Sequence, residues 1–125
     1  MTRAKIELGR QLYFDRRLSV NNTVSCADCH HPDDSYGRGT RFGVGINGQM
    51  GGRNSPVSFN RILSKAQFWD GRAPTVEEQA KGPILAGGEM AMPSADAVVK
   101  KLNGIQGYKD LFKAAFPESL SLIHI

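Results

Sequence analysis

The sequence predicts an all-α domain of short helices joined by long glycine-rich loops. Apolar residues recur at helical spacing in several segments of the 125-residue chain, with capping residues at their ends. No stretch alternates apolar and polar residues as a half-buried strand would. Between Gly37 and Gly52 lie seven glycines, and neither period survives there.

Residues 4–14 open the chain with helical spacing, placing Ile6, Leu8, Leu12 and Tyr13 at apolar positions before Asp15. A polar turn at Asn21-Asn22-Thr23 follows. Ser25 is a suitable N-cap for a short helix that Pro32 limits. After the glycine-rich loop, Arg53-Asn54-Ser55-Pro56 leads into a short helical or irregular segment over 57–63. Thr75-Val76-Glu77-Glu78 is a capping box that starts a helix, and Gly82-Pro83 should stop it. Ser94 caps a further helix through Leu102, ended by Gly104. The last helix covers about 107–116, with Tyr108, Leu111, Phe112, Ala115 and Phe116 on one face. The apolar tail beyond it reads as a cut edge.

The chemistry of the chain is concentrated in Cys26-Ala27-Asp28-Cys29-His30, a C-x-x-C-H sequence. Two thiols three residues apart can add to the two vinyl groups of one porphyrin, and the following imidazole can then ligate the iron. Both cysteines of the protein are used in this motif. The expected cofactor is one covalently bound haem c. With 40% hydrophobic residues, 14 Gly and 6 Pro, the chain is poorly suited to a large core of its own. A haem would supply an apolar disc on which loops can pack. The formal charge of +4 is spread along the chain, which argues against a nucleic-acid groove. No run approaches the roughly 20 apolar residues of a membrane span. C-x-x-C-H haem attachment takes place outside the cytoplasm, so a periplasmic location and a removed leader are expected.

Further segments extend the motif into a family pattern. LGRQLYFDRRLS (8–19), VSCADCH (24–30), GGRNSPVSFN (51–60), QFWDGR (67–72), EEQAKGP (77–83) and GEM (88–90) occur in order. Over roughly residues 8–117 the chain closely resembles the N-terminal, peroxidatic domain of bacterial di-haem cytochrome c peroxidases, including relatives that mature methylamine dehydrogenase. The resemblance implies a cytochrome c-like domain over 1–117, with 118–125 as an edge toward a missing C-terminal haem domain. It also implies hydrogen peroxide as substrate, a cytochrome c or cupredoxin as electron donor, and a homodimer as assembly. By position, Cys26 and Cys29 would carry the haem thioethers and His30 would be the proximal ligand. Phe68, Gln79 and Glu89 match the distal-pocket trio, with Glu89 as acid–base residue. Trp69 matches the tryptophan between the two haems, and Asn54 a ligand of an interfacial calcium ion.

The sequence departs from the family in two ways. Many members carry a histidine in the glycine-rich loop that blocks the peroxidatic iron; Ile46 or Asn47 stands there, and no histidine occurs between His31 and His124. The expected consequence is a distal site that stays open. Members also continue to a second C-x-x-C-H, whereas this sequence has one, so it is expected to be a fragment or a truncated product.

Each residue also has a plainer reading. Alone, Glu89 is a surface carboxylate, Gln79 a solvated helix residue, Trp69 a core or interface aromatic and Asn54 a cap for the turn at Pro56. The resemblance reverses these for Glu89 and Gln79. His31 is expected to face solvent, and His124 has no assignment. The main rival function is an electron-carrying mono-haem cytochrome with His/Met ligation by Met50, Met90 or Met92, which would leave peroxide no place. A structural zinc module would need a second ligand pair. A thioredoxin-like site would need a βαβ pattern around its cysteines.

Overall fold

The computed structural model describes residues 1–118, so the expected edge beyond Glu118, with His124, lies outside the described residues. Among the described residues there is no β-strand, only isolated bridges at His31–Gly37, Val44–Met50 and Gln67–Ala73. No helix described is long and apolar enough to cross a membrane.

Helix α1 spans Arg3–Phe14, where the Thr2 side chain accepts from the Lys5 amide. Asp15 then accepts from Arg17 N–H and caps a 3₁₀ turn, Arg16–Leu18. The short helix α2, Cys26–Cys29, begins at Ser25 as its spacing predicts. Helix α3 runs Val76–Leu85, with the Thr75 hydroxyl accepting from Glu78 N–H. It does not stop at Gly82-Pro83. Proline removes one amide donor, but Ala86 N–H still bonds Gly82 O, and the chain folds back so that Met90 and Met92 amides reach Pro83 O and Ile84 O. Helix α4, Ala95–Asn103, is capped by Ser94, and α5 spans Gln106–Ala115.

Helix α1 packs on α5 and α2, and α4 packs on α5. Their apolar faces meet around Leu102, Val98 and Phe112, and Met90, Met92 and Ile46 close the core from loops. Lys101 ties α4 to the first loop by donating to Ser19 O at 2.7 Å. Tyr108 of α5 donates to Asp15 Oδ2 at 2.6 Å, on the same carboxylate that Arg17 grips. The last turn of α1 is thereby fixed against α5. The other side of α1 forms one wall of a cavity.

Candidate functional site

Asp28 builds the α2 corner. Its Oδ2 accepts from the Ser25 amide and hydroxyl at 2.8 Å each, and Arg16 clamps both oxygens at 2.6 and 3.1 Å. Burial alone would raise the pKa of Asp28, but Arg16 and Ser25 outweigh it and hold the carboxyl below its ordinary value. The helix presents Cys26 and Cys29 as free, half-buried thiols. Burial pushes the Cys26 thiol up to about 11, reinforced by Cys29, and burial raises Cys29 too. Thiols held in the neutral form are the reverse of an activated dithiol redox centre.

His30 continues directly from α2. Its ring Nδ1 lies 2.8 Å from Pro56 O, and the phenol of Tyr13 donates to its backbone oxygen at 2.7 Å. Burial lowers its pKa, which favours the neutral ring. A neutral ring facing a carbonyl through Nδ1 must carry its proton there, which leaves Nε2 with a lone pair. This is how a ligating histidine is oriented from behind.

Cys26, Cys29 and His30 line a cavity of about 890 Å³, and so do Asn54, Phe68, Trp69, Gln79 and Glu89. The eight residues that the resemblance matches to haem attachment, distal pocket, tryptophan and calcium roles therefore share one space. Phe68 sits in a tight loop closed by the Gln67–Ala73 bridge, with left-handed backbone at φ +64°. The Arg72 guanidinium stacks 3.4 Å above its ring centroid. Gly71, at φ +71°, supplies the second left-handed residue of this loop, at a position where a side chain would be strained. Gln79 is half-buried on α3. Glu89 is open to solvent through the cavity it lines, yet the surrounding protein raises its pKa, with Arg72 acting in the opposite direction.

The cavity rim is held by polar ties. Asn54 Nδ2 donates to Arg38 O at 3.0 Å and Thr40 O at 2.7 Å, closing the glycine-rich loop. Trp69 is 63% exposed and donates through Nε1 to Asn54 O at 2.9 Å. Arg53 and Arg72 both bind Asp70, at 2.8 and 2.9 Å, bringing its carboxyl to about 2. These partners of the loops were not singled out in the sequence. Arg53, Asp70 and Arg72 belong to the quoted GGRNSPVSFN and QFWDGR segments, but no local pattern says that two arginines converge on one aspartate.

A family model described as di-haem cytochrome c peroxidase matches residues 3–125. The chain belongs to the di-haem cytochrome c peroxidase family. It is 40% identical over 117 residues to cytochrome c peroxidase Ccp of Escherichia coli, covering 94% of this chain and 25% of that protein. With cytochrome c551 peroxidase of Pseudomonas aeruginosa it shares 43% over 113 residues, covering 90% and 32%. With methylamine utilization protein MauG of Methylorubrum extorquens it shares 42% over 116 residues, covering 93% and 33%. Among solved structures, a MauG-like protein associated with microbial copper homeostasis superposes with TM-score 0.85 at 30% identity, covering 98% and 37%. The diheme peroxidase BthA of Burkholderia thailandensis superposes with TM-score 0.79 at 27% identity, covering 92% and 33%. The chain thus spans about a third or less of these relatives, and its fold is theirs over that span.

The residues present fit the haem that the family implies. Two neutral thiols and an imidazole with Nε2 available line the same cavity, beside the apolar Leu12, Val24, Val44 and Ile84. Of the methionines that could serve as a sixth ligand, Met50 is 69% exposed and Met92 lies in the core; neither lines the cavity. Met90 does line it, while 98% covered. Neither Ile46 nor Asn47, the expected position of the missing histidine, lines the cavity. Ile46 is in the core, and Val44 and Gly45 line the wall instead. His31 is exposed, its Nδ1 accepting from Asp33 N–H.

Proposed function

We propose that this chain is the peroxidatic haem domain of a longer peroxidase, reducing hydrogen peroxide to two waters with two electrons and two protons. The observation that carries this reading is that Glu89, Gln79 and Phe68 line the same cavity as Cys26, Cys29 and His30. Cys26 and Cys29 would hold one haem c through thioethers and His30 would ligate its iron, and the haem would supply the redox chemistry that reduces peroxide.

The side chains of the pocket supply the proton handling. The Glu89 carboxylate would accept the proton of one peroxide oxygen and return it to the other, which would leave as the first water. The two electrons and two further protons would turn the remaining oxygen into the second. Gln79, neutral and able both to donate and to accept, orients the peroxide without competing for that proton. Phe68, pressed down by Arg72, keeps water from the reacting oxygens. The Pro56 carbonyl holds the His30 ring in one tautomer. No histidine occurs between His31 and His124 in sequence, so no imidazole from that stretch would compete with peroxide for the haem.

Electrons arrive from a small redox protein, cytochrome c or cupredoxin, through the second haem domain of the longer protein. Trp69, exposed at the rim, is the side chain through which that domain would be reached. A calcium ion at Asn54 would use the amide oxygen, since the amide nitrogen is committed to two carbonyls. The periplasm is the compartment in which the thioethers would form.

Glu89→Gln tests the reading. The variant should retain one haem per chain and lose about a hundredfold or more of its rate with peroxide. Equal rates in the two proteins would remove Glu89 from the mechanism. A second reading, a His/Met electron carrier, draws on Met90 in the cavity wall. It requires a low-spin oxidised iron with a methionine–iron charge-transfer band, whereas the peroxidase reading requires a high-spin iron that binds azide.

A further inference from the structure

The glycine-rich loop contains a hairpin that packs closely against the backbone of Gly88 and Glu89. Residues 43–51 fold back on themselves through the Val44–Met50 bridge, with Gly45 N–H donating to Gln49 O and Gly51 N–H to Gly43 O. The tip is anchored by Ile46, 5% exposed in the core. Gly45 is buried, and its φ of −94° is open to any residue, so conformation does not call for glycine there. Space does. A Cβ at Gly45 would overlap Gly88 O and stand 2.7 Å from Glu89 Cα and 2.8 Å from Glu89 O. The next amide, Ile46 N–H, donates to that same Glu89 oxygen at 2.8 Å.

The Glu89 segment has little room to yield. On its other side Glu89 N–H bonds Ala86 O, Met90 N–H bonds Pro83 O, and Met90 O accepts from Val20 N–H. Nearby glycines behave differently. A Cβ at Gly88 meets only Gln49 Oε1 at 3.6 Å, and one at Gly52 meets nothing within 4 Å.

We propose that Gly45 is a positioning residue for Glu89: by lacking a side chain it lets the hairpin backbone seat the Glu89 backbone, and this contact fixes where the carboxyl stands in the cavity. The proposal rests on the peroxidatic reading of Glu89 and assigns the hairpin a part in it. A methyl group at position 45 displaces Glu89, while methyl groups at 88 or 52 do not.

The test compares Gly45→Ala, Gly88→Ala, Gly52→Ala and Glu89→Gln in the haem-loaded protein, reading haem content, the rate with hydrogen peroxide and its pH profile. Gly45→Ala should keep its haem, lose on the order of 10- to 100-fold in rate, and shift the midpoint of the acid limb of the profile. Gly88→Ala and Gly52→Ala should keep both rate and midpoint. A lower rate in Gly45→Ala with an unmoved midpoint reports general loosening and overturns the proposal, as does an unchanged rate. If Glu89→Gln leaves the rate intact, the peroxidatic reading itself fails. A slow Glu89→Gln beside an unimpaired Gly45→Ala removes only the positioning role. Should Gly45→Ala fail to fold, amide exchange in the unmutated protein decides. Ile46 and Met90 amides, bonded on opposite sides of the same segment, should open together with equal protection, and independent exchange overturns the proposal.

Discussion

Tyr108→Phe removes one hydroxyl and leaves the ring, so it measures a single bond between α5 and the end of α1. That hydroxyl donates to Asp15 Oδ2 at 2.6 Å, and the ring beneath the Arg17 guanidinium is retained. The Asp15 side chain is only 10% exposed. Burial would raise its pKa, but Arg17 and Tyr108 outweigh that and bring it to about 2. A hydrogen bond to a charged acceptor contributes about 1.5–3 kcal/mol. At about 4 °C per kcal/mol for a domain of this size, thermal unfolding of the haem-loaded variant at pH 7 should fall by about 6–12 °C. The effect has a defined pH dependence. Asp15 has a depressed pKa in the fold, so its contribution is complete above its unfolded value of about 4 and is lost as pH falls through about 2. The gap between the two proteins should stay constant above that window and narrow within it, as scanning calorimetry at several pH values would show. Equal stability at pH 7, or a gap that widens in acid, would refute the assignment of the bond.

Ile46→His separates two views of the glycine-rich loop: because the side chain lies in the core, the variant should lose about 2–4 kcal/mol of stability and leave the iron spin state unchanged. A low-spin resting iron would instead mean that the hairpin turns this residue toward the cavity. Met90→Leu, a volume-conserving change of a buried side chain, should cost less than about 1.5 kcal/mol and leave the oxidised spectrum as it was; loss of a charge-transfer band would favour the His/Met reading. The reaction with peroxide needs the ionised carboxyl, and burial raises the Glu89 pKa. Its rate should therefore fall with decreasing pH in a limb whose midpoint lies above the ordinary carboxylate value, and that limb should vanish in Glu89→Gln.

Local chemistry was legible where local rules govern. Thr75 and Ser94 stand at helix starts because a side-chain oxygen meets an amide that the helix leaves open, and Ser25 because the Asp28 carboxylate accepts from its amide and hydroxyl. The end of α3 was missed because a contact from beyond the helix supports it. Pro83 costs one bond, and the return of Met90 and Met92 to Pro83 and Ile84, which no window of sequence displays, keeps the last turn in place. The site residues could be named from motifs in register, and the cavity they share was implied by that register. Their fastenings could not. The bonds from Asn54 to Arg38 and Thr40, from His30 to Pro56 and from Trp69 to Asn54 join residues 14 to 26 apart with no periodic signature. Gly45 could be read only as one glycine among seven in its loop, since its purpose lies in a segment more than forty residues later.

Phe68 shows a conflict between comfort and use. An aromatic residue in the left-handed region carries roughly 1–2 kcal/mol of conformational strain, which glycine at the same place would not. Replacing it with glycine should therefore be less damaging to stability than replacing it with alanine, inverting the ranking that side-chain size alone would give. The fold retains a ring that its own backbone opposes, and the Arg72 guanidinium lies against that ring. A search for the residues this pocket depends on could begin from such unrelieved geometry as readily as from charge.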